Sequence, residues 1–228
     1  CYQVIVGTDG FFDDQKFNVA MGSGGLAATL DNFNADNFDH SEHDFLHGGS
    51  ILMGQYAKRP IANNQVPPGT PSWGKEFKEQ SIMYFNRHLN IYTYGACLPH
   101  VNNYLDLDPT YKDVNGYPLL RMTFDYSETD RNRGHFLNEQ TKKIMQEMGA
   151  THVSENESME HYDITNYKAT HNTGGVIMGE DPETSAVNNY LQMWDADNVF
   201  VVGGSAYPHQ SGYNATQTLG ALAYRASE

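Results

Sequence analysis

Between Asn198 and Ala226 the sequence reads NVFVVGGSAYPHQSGYNATQTLGALAYRA, and this stretch leaves the chain little freedom. The Val/Phe run of 198–204 closes on two glycines, which suits a buried parallel strand. A polar loop over 205–213 follows, and from about 215 Leu219, Leu222, Ala223 and Ala226 recur on one helical face. A strand that passes through a short loop into a helix sets unpaired helix N–H groups and the positive end of the helix dipole at its carboxyl end. Open α/β sheets bind ligands at such places, and the site favours negative charge.

The rest of the chain must supply the core. With 228 residues, 39% hydrophobic and 12% aromatic, it has the make-up of a globular protein with one large domain or two small ones. A net charge of -14 with only 14 Lys+Arg argues against nucleic acid as a partner, since a phosphate backbone needs basic patches. It equally disfavours an anionic membrane surface, and no apolar run approaches the roughly 20 residues of a membrane span. No signal-peptide pattern opens the chain. It starts at Cys1 without Met, with Cys1–Val6 reading as a strand, so a piece lacking its upstream part is expected. Cys1 and Cys97 are either a disulfide or two thiols, without CxxC spacing.

Segment by segment, GSGGLAATL (22–30) has the glycine density of a phosphate loop without GxGxxG spacing, and reads as a turn opening a short helix. The Pro/Gly-rich stretch 63–74 is a loop. KEFKEQSIMYFNRH (75–88) reads as a helix with Phe77, Ile82 and Phe85 near one face. NIYTYGACL and GYPLLRMTFDY are strands, with turn chemistry in the intervening DLDPTYKDVNG. Ser127 and Asp130 mark a helix start. Phe136, Leu137, Ile144, Met145 and Met148 give that helix an apolar stripe, and Gly149 its stop, making it a cover on the preceding sheet.

Three clusters hold candidate chemistry. His40, His43 and His47 sit at spacings of three and four, as a zinc site would want. The interrupting Asp residues and the Gly-Gly that follows favour solvated or locally hydrogen-bonded histidines, so no metal is expected. His171 opens the turn-rich HNTGGVIMGEDPETSAVNNYLQM. His209, Ser211, Tyr213 and Asn214 line the loop that leads into the last helix. An imidazole titrates near neutrality and suits a base taking a hydroxyl proton, and an Asn side chain can hold the same hydroxyl.

The ordered series HNTGG…MGEDP…DNVFVVGGSAYPHQSGYNATQTLGALAYRA resembles the C-terminal part of the glucose–methanol–choline (GMC) flavin oxidoreductases. That family has a His before Gly-Thr-x-x-Met-Gly-x-Asp-Pro, then a strand, a small-residue turn, and Asn-Pro-Thr opening a helix. Its active pair maps onto His171 and Asn214, 43 positions apart. Its flavin-contacting turn maps onto Gly203, Gly204 and Ser205, and its helix start onto Asn214, Ala215 and Thr216, with Tyr213 beside them. DNFNADNFDH and GYPLLRMTFDY further resemble the bacterial branch of gluconate, fructose and sorbitol dehydrogenases. Three departures stand out: Gly174-Gly175 replaces Gly-Thr, Ala215 replaces the proline, and His209 is an extra imidazole, so the base is either His171 or His209.

The resemblance implies an α+β fold. A mixed or antiparallel substrate-domain sheet covered by helices (1–168) precedes an active-site segment (169–228), whose strand–loop–helix returns to an FAD-binding α/β domain. It implies FAD as cofactor, and oxidation of a CH–OH group of a sugar, polyol or sugar acid by hydride transfer to flavin N5. Electrons would pass to a cytochrome c subunit or a quinone-type acceptor, with a small chaperone-like subunit as a further partner and a periplasmic location. The GxGxxG unit that holds the ADP part of FAD is absent, so the fragment alone is expected to be inactive. The alternatives are an O2-using sugar or alcohol oxidase, a non-catalytic aromatic-rich carbohydrate-binding module, and a metal-dependent hydrolase built on the 40–47 histidines.

Overall fold

The computed structural model describes residues 3–18, 28–54, 65–155, 160–166 and 171–228. Cys1, and with it any Cys1–Cys97 disulfide, lies outside these residues, as does most of GSGGLAATL; Cys97 itself is buried. Two compact units interleave along the sequence. One comprises Cys1–Gln3, Ala96–Arg131 and Glu160–Glu228, the other Val4–Gly95 and Asn132–Met159. The expected α+β class holds: the strand pairs are antiparallel, and three α-helices accompany them among the described residues.

The second unit is built on a five-stranded sheet of order β2-β3-β4-β1-β7, from β1 (Gly7–Phe11), β2 (Ala28–Leu30), β3 (Gly49–Gly54), β4 (His88–Gly95) and β7 (His152–Glu155). β4, HLNIYTYG, alternates in burial, with Leu89, Ile91 and Thr93 inward, as a half-covered strand must. Of the strand expected over 1–6, regular pairing begins only at Gly7; Val6 O accepts from Thr93 N (2.8 Å), while Val6 N donates to the Thr93 hydroxyl (3.3 Å). Val4 keeps a single bridge to Gly95. Residues 28–30, part of the stretch expected to be a turn opening a short helix, pair instead as β2 with β3.

α2 (Glu128–Glu147) covers this sheet. Its start is the expected capping box: Ser127 Oγ accepts from Asp130 N (3.2 Å), and Asp130 Oδ2 accepts from Ser127 N (3.2 Å) and Oγ (2.8 Å). Leu137 and Met145 are fully buried, and Met145 packs with Phe12, Ile51, Leu89 and Ile91. Gly149, at φ +87°, ends the run.

α1 is shorter than its sequence pattern, covering Lys75–Met83 and burying no residue; Ile82 is 77% exposed. The buried anchor is Tyr84, just past the helix end. Its hydroxyl donates to Asp13 Oδ1 at 2.5 Å, and its ring meets Phe11 edge-on at 5.4 Å. Burial first, then Asp13, pushes the phenol up to about 12. Docking of Tyr84 and the β1–β4 ladder draw 84–88 out of the helix. His40 and His43 are engaged locally, His40 Nε2 meeting the Ala35 carbonyl at 2.7 Å and His43 stacking on Phe45 at 5.1 Å, while the His47 backbone takes φ +61°.

In the first unit, β5 (Tyr104–Lys112) and β6 (Pro118–Thr123) form an antiparallel hairpin. Sequence chemistry alone placed 106–116 in a turn. Locally it is turn-like: Asp108 Oδ1 accepts from Thr110 N and Tyr111 N, both at 2.8 Å, where the register shifts between Leu107 and Lys112. The cross-strand pairs from Tyr104↔Thr123 to Leu107↔Leu120, with Asp106 and Arg121 ion-paired, carry it into a strand nonetheless.

The 198–204 run departs most from expectation. It forms no parallel ladder: Phe200 bridges Gln192, Met193 N donates to Val199 O (2.9 Å) and Val201 N to Leu191 O (2.8 Å). Val199, Phe200 and Val202 stay 40%, 47% and 51% exposed, while Val201 packs on the cluster of Val187, Leu191 and Ala206 and Gly204 O accepts from Gly174 N. α3 (Thr216–Ala226) keeps its expected face. Leu222 and Ala226 pack on the buried cluster of Val187, Leu191 and Ala206, and Leu219 and Ala223 are half-buried.

Truncating Leu137 to Ala is expected to destabilise by about 2–5 kcal/mol, whereas Ile82→Ala changes stability by less than about 0.5 kcal/mol. Chemical denaturation midpoints of the two variants check this contrast.

Candidate active site

The His171 segment and the loop before α3 are stitched together by backbone. Gly174 N donates to Gly204 O (3.0 Å), Val176 N to Ser205 O (3.0 Å) and Met178 N to Ala206 O (2.8 Å). A short 3-10 turn over Gly204–Ala206 receives these bonds. Such close strands of irregular chain need small residues. A Cβ on Gly204 would lie 3.1 Å from the Asn172 carbonyl oxygen.

Gly175 explains one departure from the family pattern. It sits at φ +103°, and a Cβ there would approach Leu105 Cδ1 to 2.9 Å. A β-branched threonine is strained in that backbone region, so glycine is the residue this loop can use.

His171 itself takes φ +60°, a left-handed conformation uncommon for a residue with a side chain. Its ring is half-buried, and burial lowers the imidazole below its ordinary 6.5. The neutral, base-competent form is therefore favoured at physiological pH. Nδ1 of His171 is hydrogen-bonded to Oε1 of Gln3. Gln3 is buried, and its Nε2 donates to the carbonyls of Ser211 (3.0 Å) and Tyr213 (3.3 Å). One amide thus ties His171 to the peptide that leads into Asn214.

Further contacts fix the helix entry. Gln210 pairs through its backbone with Cys97 (2.9 and 3.0 Å), and the buried Tyr207 donates its hydroxyl to Ala215 O at 3.0 Å. Ala215 is the N-cap of α3, and no side chain caps that end. Thr216 begins the helix, and Asn214, Tyr213 and His209 are exposed. Gly203 adopts φ +152°, ψ -175°, open to glycine alone, with nothing within 4 Å of where a Cβ would stand. A cavity of about 320 Å³ is lined by Asn172, Thr173 and Ser205 together with Leu105, Met122 and Phe124.

The family model described as GMC oxidoreductase matches residues 99–223. The chain belongs to the GMC oxidoreductase family. It is 42% identical over 226 residues to the gluconate 2-dehydrogenase flavoprotein of Pantoea cypripedii, covering 98% of this chain and 37% of that protein. To the fructose dehydrogenase large subunit of Gluconobacter japonicus it is 32% identical over 213 residues, covering 84% of this chain and 38% of that one. Among solved structures, pyridoxine 4-oxidase from Mesorbium loti superposes with a TM-score of 0.54, over 99% of this chain and 42% of that chain. At 11% identity that likeness concerns the fold. The chain therefore spans under two-fifths of the curated relatives' length.

GMC oxidoreductases are FAD-dependent enzymes acting on alcohol groups, and the residues present fit that cofactor. Gly203 leaves a backbone face open to close approach. The α3 N-terminus lacks a side-chain cap, and Oε1 of the buried Gln210 has no hydrogen-bond partner among the described residues. Of the residues singled out from sequence, Gly204 and Ser205 are bonded to the His171 segment, and His171 is linked through Gln3 to Tyr213. Sequence reading missed Gln3. Its one signal is an amide lying directly before an apolar Val-Ile-Val run.

Restoring the family's threonine by Gly175→Thr is expected to destabilise by roughly 1–3 kcal/mol rather than to add a useful hydroxyl. Thermal denaturation of the full-length variant measures this.

Proposed function

We propose that the chain is the C-terminal, mainly substrate-domain part of an FAD-dependent dehydrogenase that oxidises a CH–OH group of a sugar, polyol or sugar acid. The observation that carries this reading is the Gln3 amide joining His171 to the Ser211 and Tyr213 carbonyls, one residue before Asn214. It links His171 to the loop that carries Asn214, 43 positions away, and so supports reading the two as parts of one site. The resemblance to gluconate and fructose dehydrogenases supports the substrate class.

His171, kept neutral by its surroundings, takes the proton of the substrate hydroxyl, and the Asn214 side chain holds that hydroxyl by a hydrogen bond. His209 is exposed on the same loop and is the second candidate for the base. FAD, when bound, supplies the two-electron acceptor for the carbinol hydride. Gly203, Gly204 and Ser205, with Tyr213, Ala215 and Thr216, would hold it. The N–H groups of α3's first turn favour negative charge there. The cavity beside Asn172 and Ser205 has the size of a small-ligand site.

In the whole enzyme, electrons pass to a cytochrome c or quinone-type acceptor, with a cytochrome c subunit and a small chaperone-like subunit as partners in the periplasm. One relative is the large subunit of a fructose dehydrogenase, which favours partner subunits. No helix among the described residues is long and apolar enough to cross a membrane.

In the full-length enzyme, His171→Ala and Asn214→Ala are each expected to lower turnover, the histidine variant by roughly 10²- to 10⁴-fold. With burial lowering His171, the wild-type kcat/KM keeps its base form as pH falls past 6.5 and loses it only below. Near wild-type turnover in both variants contradicts the assignment. Rapid peroxide formation in air points to an oxidase instead.

A further inference from the structure

We infer that Gln3 is a positioning residue of the active site: its amide fixes which nitrogen of His171 carries the proton and holds that ring in register with the loop leading to Asn214. The inference rests on the reading of His171 as the base.

The orientation of the amide follows from its partners. Nε2 of Gln3 faces two backbone carbonyl oxygens, those of Ser211 at 3.0 Å and Tyr213 at 3.3 Å, and a carbonyl can only accept. The NH2 group must therefore point to the loop, and Oε1 must face His171. An amide oxygen is itself only an acceptor, so Nδ1 of His171 must be the donor. In a neutral imidazole that places the proton on Nδ1 and the basic lone pair on Nε2. Both ends of the amide are used, and the side chain is buried, with 1% of its surface exposed. No rotation of the amide satisfies the same three partners.

The arrangement follows the logic of an orienting group behind a catalytic imidazole, where a wrong tautomer costs rate although the ring is present. A neutral amide differs from a carboxylate in that role. It accepts from Nδ1 without adding a negative charge, so it does not work against the burial that keeps His171 unprotonated. The same side chain reaches across 168 positions to His171 and 210 to Tyr213, so it ties the ring to the loop directly.

The test uses the full-length, flavin-loaded enzyme with three variants: Gln3→Leu, Gln3→Glu and His171→Ala. Gln3→Leu removes the acceptor and is expected to lower kcat/KM by roughly 10- to 100-fold, as loss of a group that orients a functional imidazole commonly does. Gln3→Glu is nearly isosteric and still accepts from Nδ1, but its charge favours the imidazolium. The acid limb of its kcat/KM profile should move up by about one pH unit, with turnover partly recovered above it. A merely structural role would not move that limb. An acid limb unchanged in Gln3→Glu, with His171→Ala inactive, overturns the inference while leaving the base assignment standing. Full activity in His171→Ala overturns the base assignment itself, whatever Gln3 does. Should Gln3→Leu fail to fold, the limb of Gln3→Glu decides; loss of flavin in both Gln3 variants makes Gln3 a folding residue and also overturns the inference.

Discussion

The constellation depends on a single buried amide. Gln3 contributes three hydrogen bonds from within a run that sequence alone assigns to an ordinary strand. Leaving any of these buried groups without its partner costs about 1–3 kcal/mol, so the amide holds the ring and the loop together as much as it benefits from them. The unit it belongs to is drawn from three stretches of chain, 1–3, 96–131 and 160–228. Around it, the backbone bonds from 174–178 to 204–206 supply the rigidity that a site on irregular chain otherwise lacks.

Much of this was legible in the sequence where the determinants are local. Ser127 and Asp130 cap α2 as their spacing requires, Gly149 ends it, and the apolar stripe with Leu137 and Met145 faces inward. The last helix half-buries the face of Leu219, Leu222, Ala223 and Ala226. The motif order that carries the family resemblance is likewise a local property, and residues 99–223 bear it out at the level of the family.

What was not legible depends on distant partners. DLDPTYKDVNG contains real turn chemistry at Asp108, yet pairing with β6 extends a strand through it. The apolar run at 198–204 has the composition of a buried strand but makes only isolated pairings, to 191–193 and through Gly204 to Gly174, and a ladder needs a continuous neighbour rather than valines. In α1, the periodic Phe77 and Ile82 suggest a covered face, but the buried contact is made by Tyr84 outside the helix. Gln3 is the extreme case: nothing in a single amide near the start of a sequence names a histidine 168 positions away.

The central claim is that His171, oriented by Gln3, meets the substrate hydroxyl. A crystal structure of the full-length, flavin-loaded enzyme with a sugar or polyol bound tests it most directly. The account predicts His171 Nε2 within about 2.6–3.2 Å of the reacting hydroxyl, with Nδ1 still on Gln3. His209 at that hydroxyl, with the His171 ring turned away from it, would contradict the claim.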